Sequence, residues 1–150
     1  MKIWFDTEFI EDGKTIELLS IGLVAEDGRE LYLVNPEADL SKASQWVNEN
    51  VIPHLGESRA SSKLALRECL QVFCKDTPEF WGYYADYDWV VLCQLFGTMM
   101  DLPKGWPMYC RDLRQALDVK GWSGIKQPDE ARHHALDDAR WIAKTWKEKF

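Results

Sequence analysis

The chain opens on an alternation of apolar and polar side chains. In Lys2–Phe9, Ile3 and Phe5 alternate with Trp4 and Asp6, the period-two pattern of a strand half buried in a sheet. Glu11-Asp12-Gly13-Lys14 reads as a turn, Ile16 to Ala25 as a second apolar strand, and Asp27-Gly28 as a hairpin signal. A third strand, Arg29 to Val34, stops at Asn35-Pro36. Three strands joined by short turns predict an antiparallel β1–β3 meander. Further strands arriving through helices would make the sheet a mixed one.

The pattern then lengthens to helical periods. Ser41 to Asn50 predicts a short helix ending before Pro53. A polar loop through Gly56, Ser58 and Ser61 leads to an amphipathic helix, Lys63 to Cys74, on Leu64, Leu66, Leu70 and Phe73. Glu79 to Tyr84 is an aromatic fourth strand. It runs through Ala85-Asp86-Tyr87-Asp88 into a helix from Trp89 to Phe96, closed by Gly97. After a loop from Met99 to Pro107, Met108-Tyr109-Cys110 predicts a short strand, and Asp112 caps a helix from Leu113 to Val119. Lys120 to Pro128, with Gly121 and Gly124, is the best candidate for a mobile loop. The last helix, about Glu130 to Lys149, turns Leu136, Ala139, Ile142, Ala143 and Trp146 inward. No repeat, low-complexity tract or linker divides the chain, so one α/β domain over 1–150 is expected.

Composition narrows the class. A chain of 150 residues, 46% hydrophobic and with eight Trp, can bury a real core. No apolar run approaches membrane-spanning length, and Asp6 and Glu8 stand where a signal peptide would be apolar. A cytoplasmic protein without a membrane partner is expected. Of the four cysteines, none forms a Cys-x-x-Cys pair. The apolar surroundings of Cys69, Cys93 and Cys110 predict buried, reduced thiols instead of disulfides, zinc ligands or nucleophiles. The formal net charge of −7 argues against a general nucleic-acid coat. It leaves open an enzyme that meets a strand end through metal ions.

Asp6 and Glu8, two apart on one strand, leave the same face of the sheet. Like charges that close repel unless a cation lies between them, which suggests a divalent-metal site. A lone Asp-x-Glu is more often a solvated strand edge, so the rest of the chain decides. Asp88 falls at the junction of the fourth strand and the following helix, where parallel α/β arrangements gather functional groups. Asp138 lies on the last helix, and His133, five residues before it, would come to the same end if the helix began between them.

The ordered set Phe5-Asp6-Thr7-Glu8, Tyr87-Asp88 and His133-x-Ala135-Leu136-x-Asp138 resembles the three motifs of the DEDDh 3′→5′ exonucleases, which have a ribonuclease-H-like fold. The resemblance runs from the first strand to the final helix. Phe5 to Gly13, Thr15 to Gly22, and Tyr87-Asp88 followed by Leu92-Cys93-Gln94-Leu95 look more closely like the adenylate-specific exoribonucleases called RNase AS. The resemblance implies that Asp6, Glu8, Asp88 and Asp138 bind two Mg²⁺ or Mn²⁺ ions, with Asp6 between them, and that His133 is the general base. Asp86, Asp137 and His134 are near neighbours that the motif spacing passes over. It further implies hydrolysis at the 3′ end of single-stranded RNA or an RNA 3′ overhang, and a homodimer. A DNA exonuclease of the same superfamily and an inactive nucleotide-binding module are the alternatives.

Substrate handling is less specified by the residues. Phe9 could stack on a terminal base or pack in the core, and Trp106 and Trp122 could be stacking platforms or covers for a core edge. Arg111, Arg114, Lys120, Lys126 and Arg132 could meet phosphates or form a scattered solvated face.

Overall fold

A computed structural model describes residues 1–75, 77–128 and 133–150. Its sheet has five strands in the order β3-β2-β1-β4-β5. Strand β1 (Lys2–Glu11) lies in the middle, with β2 (Ile16–Ala25) and β3 (Glu30–Val34) antiparallel on one side. On the other side β4 (Glu79–Gly82) and β5 (Arg111–Asp112) run parallel to it. The helices are α1 (Gln45–Asn50), α2 (Lys63–Cys74), α3 (Asp86–Phe96), α4 (Leu113–Val119) and α5 (Ala135–Lys149). The expected mixed α/β sheet, a meander continued by parallel strands, is the observed one.

The alternation in β1 divides the protein into two layers. Ile3 and Phe5 point to one face, where they pack with Leu66 and Leu70 of α2 and with Trp89 and Leu92 of α3. Trp4 points to the other face and packs with Leu113 and Leu117 of α4 and Ala139, Ile142 and Ala143 of α5. Further along this second face, Ile10 joins Leu19, Val34, Val51 and Leu55 beneath α1. Thus α1 and the start of α5 share one side of the sheet. Between Glu8 and Phe9 the β1–β2 register slips, with Glu8 opposite Ser20 and Phe9 opposite Leu18. Leu19 is the extra residue of this bulge, a device that re-aims side chains near functional sites.

Several boundaries differ from the sequence pattern for local reasons. A 3-10 turn at Leu40–Lys42 precedes α1, and Ser44 caps α1 through the Val47 amide, which splits the helix expected from Ser41. Strand β4 ends at Gly82, and α3 starts at Asp86 instead of Trp89, so Asp88 lies inside its first turn. There Asp86 and Asp88 complement the helix dipole. The Ala85 amide at that helix start donates to Asp112 Oδ2 (2.8 Å). The last short strand is Arg111–Asp112, not Met108–Cys110, while Asp112 caps α4 through the Gln115 amide (3.1 Å) as expected. Helix α5 begins at Ala135 and not near Glu130; positions 129–132, Arg132 among them, lie outside the described residues.

Cys69, Leu64 and Arg114 depart from their expected surroundings, and Trp106 takes one of the two places left open for it. Cys69 is exposed, because the buried stripe of α2 is Leu66, Leu70, Phe73 and Cys74; Leu64, expected inside, also lies outside it. Trp106 is buried against Phe80 and Phe96, so it covers the core and is no stacking platform. Arg114 is buried too, and its Nη1 donates to the Ile125 carbonyl (2.7 Å) while Nη2 pairs with Asp118 (2.6 Å). It ties the loop after α4 to that helix and is not offered to phosphates. Cys93 and Cys110 match the reading of inert thiols, since burial pushes them up to about 11 and about 12. Among the described residues no helix is long and apolar enough to cross a membrane.

Candidate active site

A row of residues runs across the sheet on the α5 face. Asp6 of β1 lies opposite Gly22 of β2, and Gly22 lies opposite Tyr32 of β3. A Cβ at Gly22 would stand 2.3 Å from the Leu136 amide nitrogen and 2.4 Å from the Ala135 carbonyl. Only glycine leaves room for the first turn of α5 to rest on the strand. The side of that turn nearest β1 carries Asp138. Arg140, one turn on, fixes α5 to β3 by a fork onto Glu30, with Nε at 3.1 Å and Nη2 at 2.7 Å.

This docking brings Asp6, Glu8 and Asp138 together: one carboxylate oxygen from each lies within 4.8 Å of the others. Asp138 is buried and the other two half buried. Desolvation, then the charges of Asp88, Asp138 and Glu8, raise the Asp6 carboxyl well above its ordinary range. Desolvation, Asp138 and Asp88 push Glu8 up to about 8. No cationic side chain among the described residues offsets either one. A cluster of carboxylates raised by burial and by mutual repulsion fits a divalent cation, whose charge would offset both.

Asp88 approaches from the opposite layer, on α3. Beyond Trp4, β1 has no paired neighbour on the β4 side among the described residues, since the β1–β4 ladder runs from Lys2 to Trp4. The Thr7 amide on that open edge donates to Asp88 Oδ1 (3.0 Å), and the Thr7 hydroxyl donates to the same oxygen (2.5 Å). Burial raises Asp88 and the two Thr7 bonds lower it, with burial the larger influence. Asp88 therefore stands beside the trio, its orientation set by the residue between Asp6 and Glu8.

Asp138 is held from both sides. Gln127 Nε2 donates to its Oδ1, and the His133 backbone amide donates to its Oδ2 (3.2 Å). His133 sits just before α5 in the left-handed region, with φ +78°, and its ring lies edge-to-face with Trp46 of α1 at 4.7 Å. The neighbours passed over by the motif spacing are engaged elsewhere. His134 lies on the Tyr32 ring at 4.4 Å, Asp137 pairs with Arg140 Nη1 (2.8 Å) and with His134, and Asp86 is exposed. Phe9 is half buried, packs against the core and meets the Tyr87 ring at 6.0 Å.

The sequence pattern did not single out four residues that shape this arrangement: Gly22, Thr7, Gln127 and Trp46. A glycine inside an apolar strand and a polar residue on the buried side of β1 were signals for the first two. Gln127 and Trp46 carried none.

The fold is that of a ribonuclease-H-like exonuclease. It resembles the zinc-bound crystal structure of Escherichia coli ExoI with single-stranded DNA, at a TM-score of 0.62 and 14% identity over 99% of this chain and 41% of that one. Over residues 1–150 the sequence matches the family model described as a 3′–5′ exoribonuclease Rv2179c-like domain. It is 44% identical over 147 residues to the 3′–5′ exoribonuclease Rv2179c of Mycobacterium tuberculosis H37Rv, covering 93% of this chain and 88% of that one. The same values hold for 3′–5′ exoribonuclease MT2234.1 of strain CDC 1551. The chain belongs to the Rv2179c-like 3′–5′ exoribonuclease family.

Proposed function

We propose that the protein is a metal-dependent 3′→5′ exoribonuclease that trims single-stranded RNA or RNA 3′ overhangs, preferring adenylates, and releases nucleoside 5′-monophosphates. The observation that carries this reading is the trio Asp6, Glu8 and Asp138 with oxygens within 4.8 Å. Family membership supports the reaction class. The adenylate preference and a homodimeric working form rest on the sequence resemblance to RNase AS. Exposed Leu64 and Val72 on α2 suit an apolar contact between two copies.

An all-carboxylate donor set suits hard cations such as Mg²⁺ or Mn²⁺. Asp6, Glu8, Asp88 and Asp138 would hold two of them. Bound there, they would neutralise charge developing on the attacking and leaving oxygens of the phosphodiester and ease ionisation of water.

The chain's own residues do the remainder. His133 accepts the proton of the attacking water at its ring, the role an imidazole general base fills. Thr7 keeps the Asp88 carboxylate turned to the β1 edge, and Gln127 with the His133 amide keeps Asp138 turned to Asp6 and Glu8. Phe9 and Tyr87, the chain neighbours of Glu8 and Asp88, touch each other and would offer ring surface to the terminal base.

The test is hydrolysis of 5′-labelled RNA and DNA oligomers ending in A or C, with Mg²⁺ or Mn²⁺ and with Asp6→Ala as control. A one-nucleotide ladder from RNA, faster for A ends and absent in the variant, is expected. Cleavage of DNA alone would replace the proposal with a DNA exonuclease, and no cleavage of either would leave a binding module.

A further inference from the structure

We infer that Trp46 is a positioning residue for His133: the indole of α1 forms the wall that holds the imidazole of the proposed general base toward the carboxylates. The inference rests on the reading of His133 given above and extends it to an element that carries none of the motif residues.

Trp46 is 52% exposed, so it contributes little to the core. Its ring instead meets the His133 ring edge-to-face, 4.7 Å between centroids at 90°. Aromatic pairs favour that geometry because a positive ring edge faces a negative ring face. The support beneath the indole is firm although α1 is short. Val47, the next residue, packs on the cluster of Ile10, Val34, Val51 and Leu55, and Asn50 Nδ2 donates to the Trp46 carbonyl (2.9 Å).

His133 depends on such support. A non-glycine residue at φ +78° is conformationally costly and persists when its surroundings over-determine it. The Asp138 carboxylate accepts from its backbone amide, and Trp46 meets its ring. The following residue shows the same device used for another purpose. His134 is taken by Tyr32 of β3 and by Asp137, so two consecutive imidazoles are sorted onto two different aromatic residues. The two imidazoles thus part, His133 onto Trp46 of α1 and His134 onto Tyr32 of β3.

Proton transfer requires the base within hydrogen-bond reach of the water, and a displacement of about 1 Å can cost on the order of 100-fold. Loss of the indole should therefore act on turnover more than on substrate binding.

The experiment is a double-mutant cycle of Trp46→Leu and His133→Ala, with Trp46→Phe as the conservative variant. Single-turnover rates and KM are measured on a single-stranded RNA ending in A, with melting temperature as a fold check. Trp46→Leu should lower the rate roughly tenfold with KM nearly unchanged, Trp46→Phe should recover most of it, and Trp46→Leu should add nothing once His133 is Ala. Three results overturn the inference: no effect of Trp46→Leu, an effect mainly on KM, or an effect that persists in full in the His133→Ala background. The last two would make Trp46 a surface for substrate. Should His133→Ala itself retain the full rate, the general-base assignment falls and the inference with it, an outcome separable from the other three.

Discussion

Gly22 lies directly opposite Asp6 across the β1–β2 ladder, and the space its side chain would need is filled by the backbone of Ala135 and Leu136. The absence of one methyl group therefore sets how near the start of α5, with Asp138, comes to Asp6. Gly22→Ala is expected to cost about 1–3 kcal/mol by overpacking. It should lower turnover by about tenfold or more as Asp138 is pushed from its partners. Urea unfolding and kcat measured on the same preparation would check both.

Thr7 is the second geometric device. Thr7→Val preserves shape and the backbone bond to Asp88 but removes the hydroxyl donor. A hydrogen bond to a buried charged group contributes roughly 1.5–3 kcal/mol. The variant should need more Mg²⁺ for half-maximal activity and turn over more slowly, whereas Thr7→Ser should behave like the parent. Metal titrations of activity on all three proteins would decide it.

The raised carboxyls predict an unusual pH dependence for the metal-free protein. Glu8 ionises at about 8 in the folded chain against an ordinary 4.5. Between those values the folded state holds a proton that the unfolded state has lost, so this group's contribution to stability falls as pH rises through the window. Melting temperature in EDTA should decline from about pH 5 to about pH 8. Glu8→Gln, which never ionises, should flatten that decline. Mg²⁺ or Mn²⁺ should raise the melting temperature most at the alkaline end, where the ligands are ionised, and Asp6→Ala should abolish the rise.

Gln127 lies outside every motif yet donates to Asp138. Gln127→Leu keeps the bulk and removes the donor. Partners of this kind typically change metal affinity by about 10–100-fold when lost. The expected result is weaker metal binding by calorimetry with the fold intact by circular dichroism; unchanged affinity would show that the His133 amide suffices to orient Asp138.

Much of this protein was legible in one dimension because the relevant information is local and periodic. Alternation in Lys2–Phe9 places Asp6 and Glu8 on one face, and the turn chemistry at Gly13 and Gly28 folds β1–β3 back on themselves. Helix ends were less legible where capping competes with amphipathic pattern, as at Ser44 and at Asp86. Exposure of Cys69 and burial of Trp106 and Arg114 depended on which neighbours the packed layers supplied, which no window of sequence contains.

The sequence by itself determined the mixed α/β architecture and the order of the acidic motifs, which follow from side-chain period and residue type, and the resemblance of those motifs pointed to the family. Only the tertiary structure decided how the acids meet. Asp6 and Glu8 come from the sheet, Asp138 from a helix resting on Gly22, and Asp88 from the opposite layer through Thr7. These contacts join residues more than eighty positions apart in the case of Thr7 and Asp88. They depend on close packing between elements, where a single methyl group or hydroxyl changes the distance between charges.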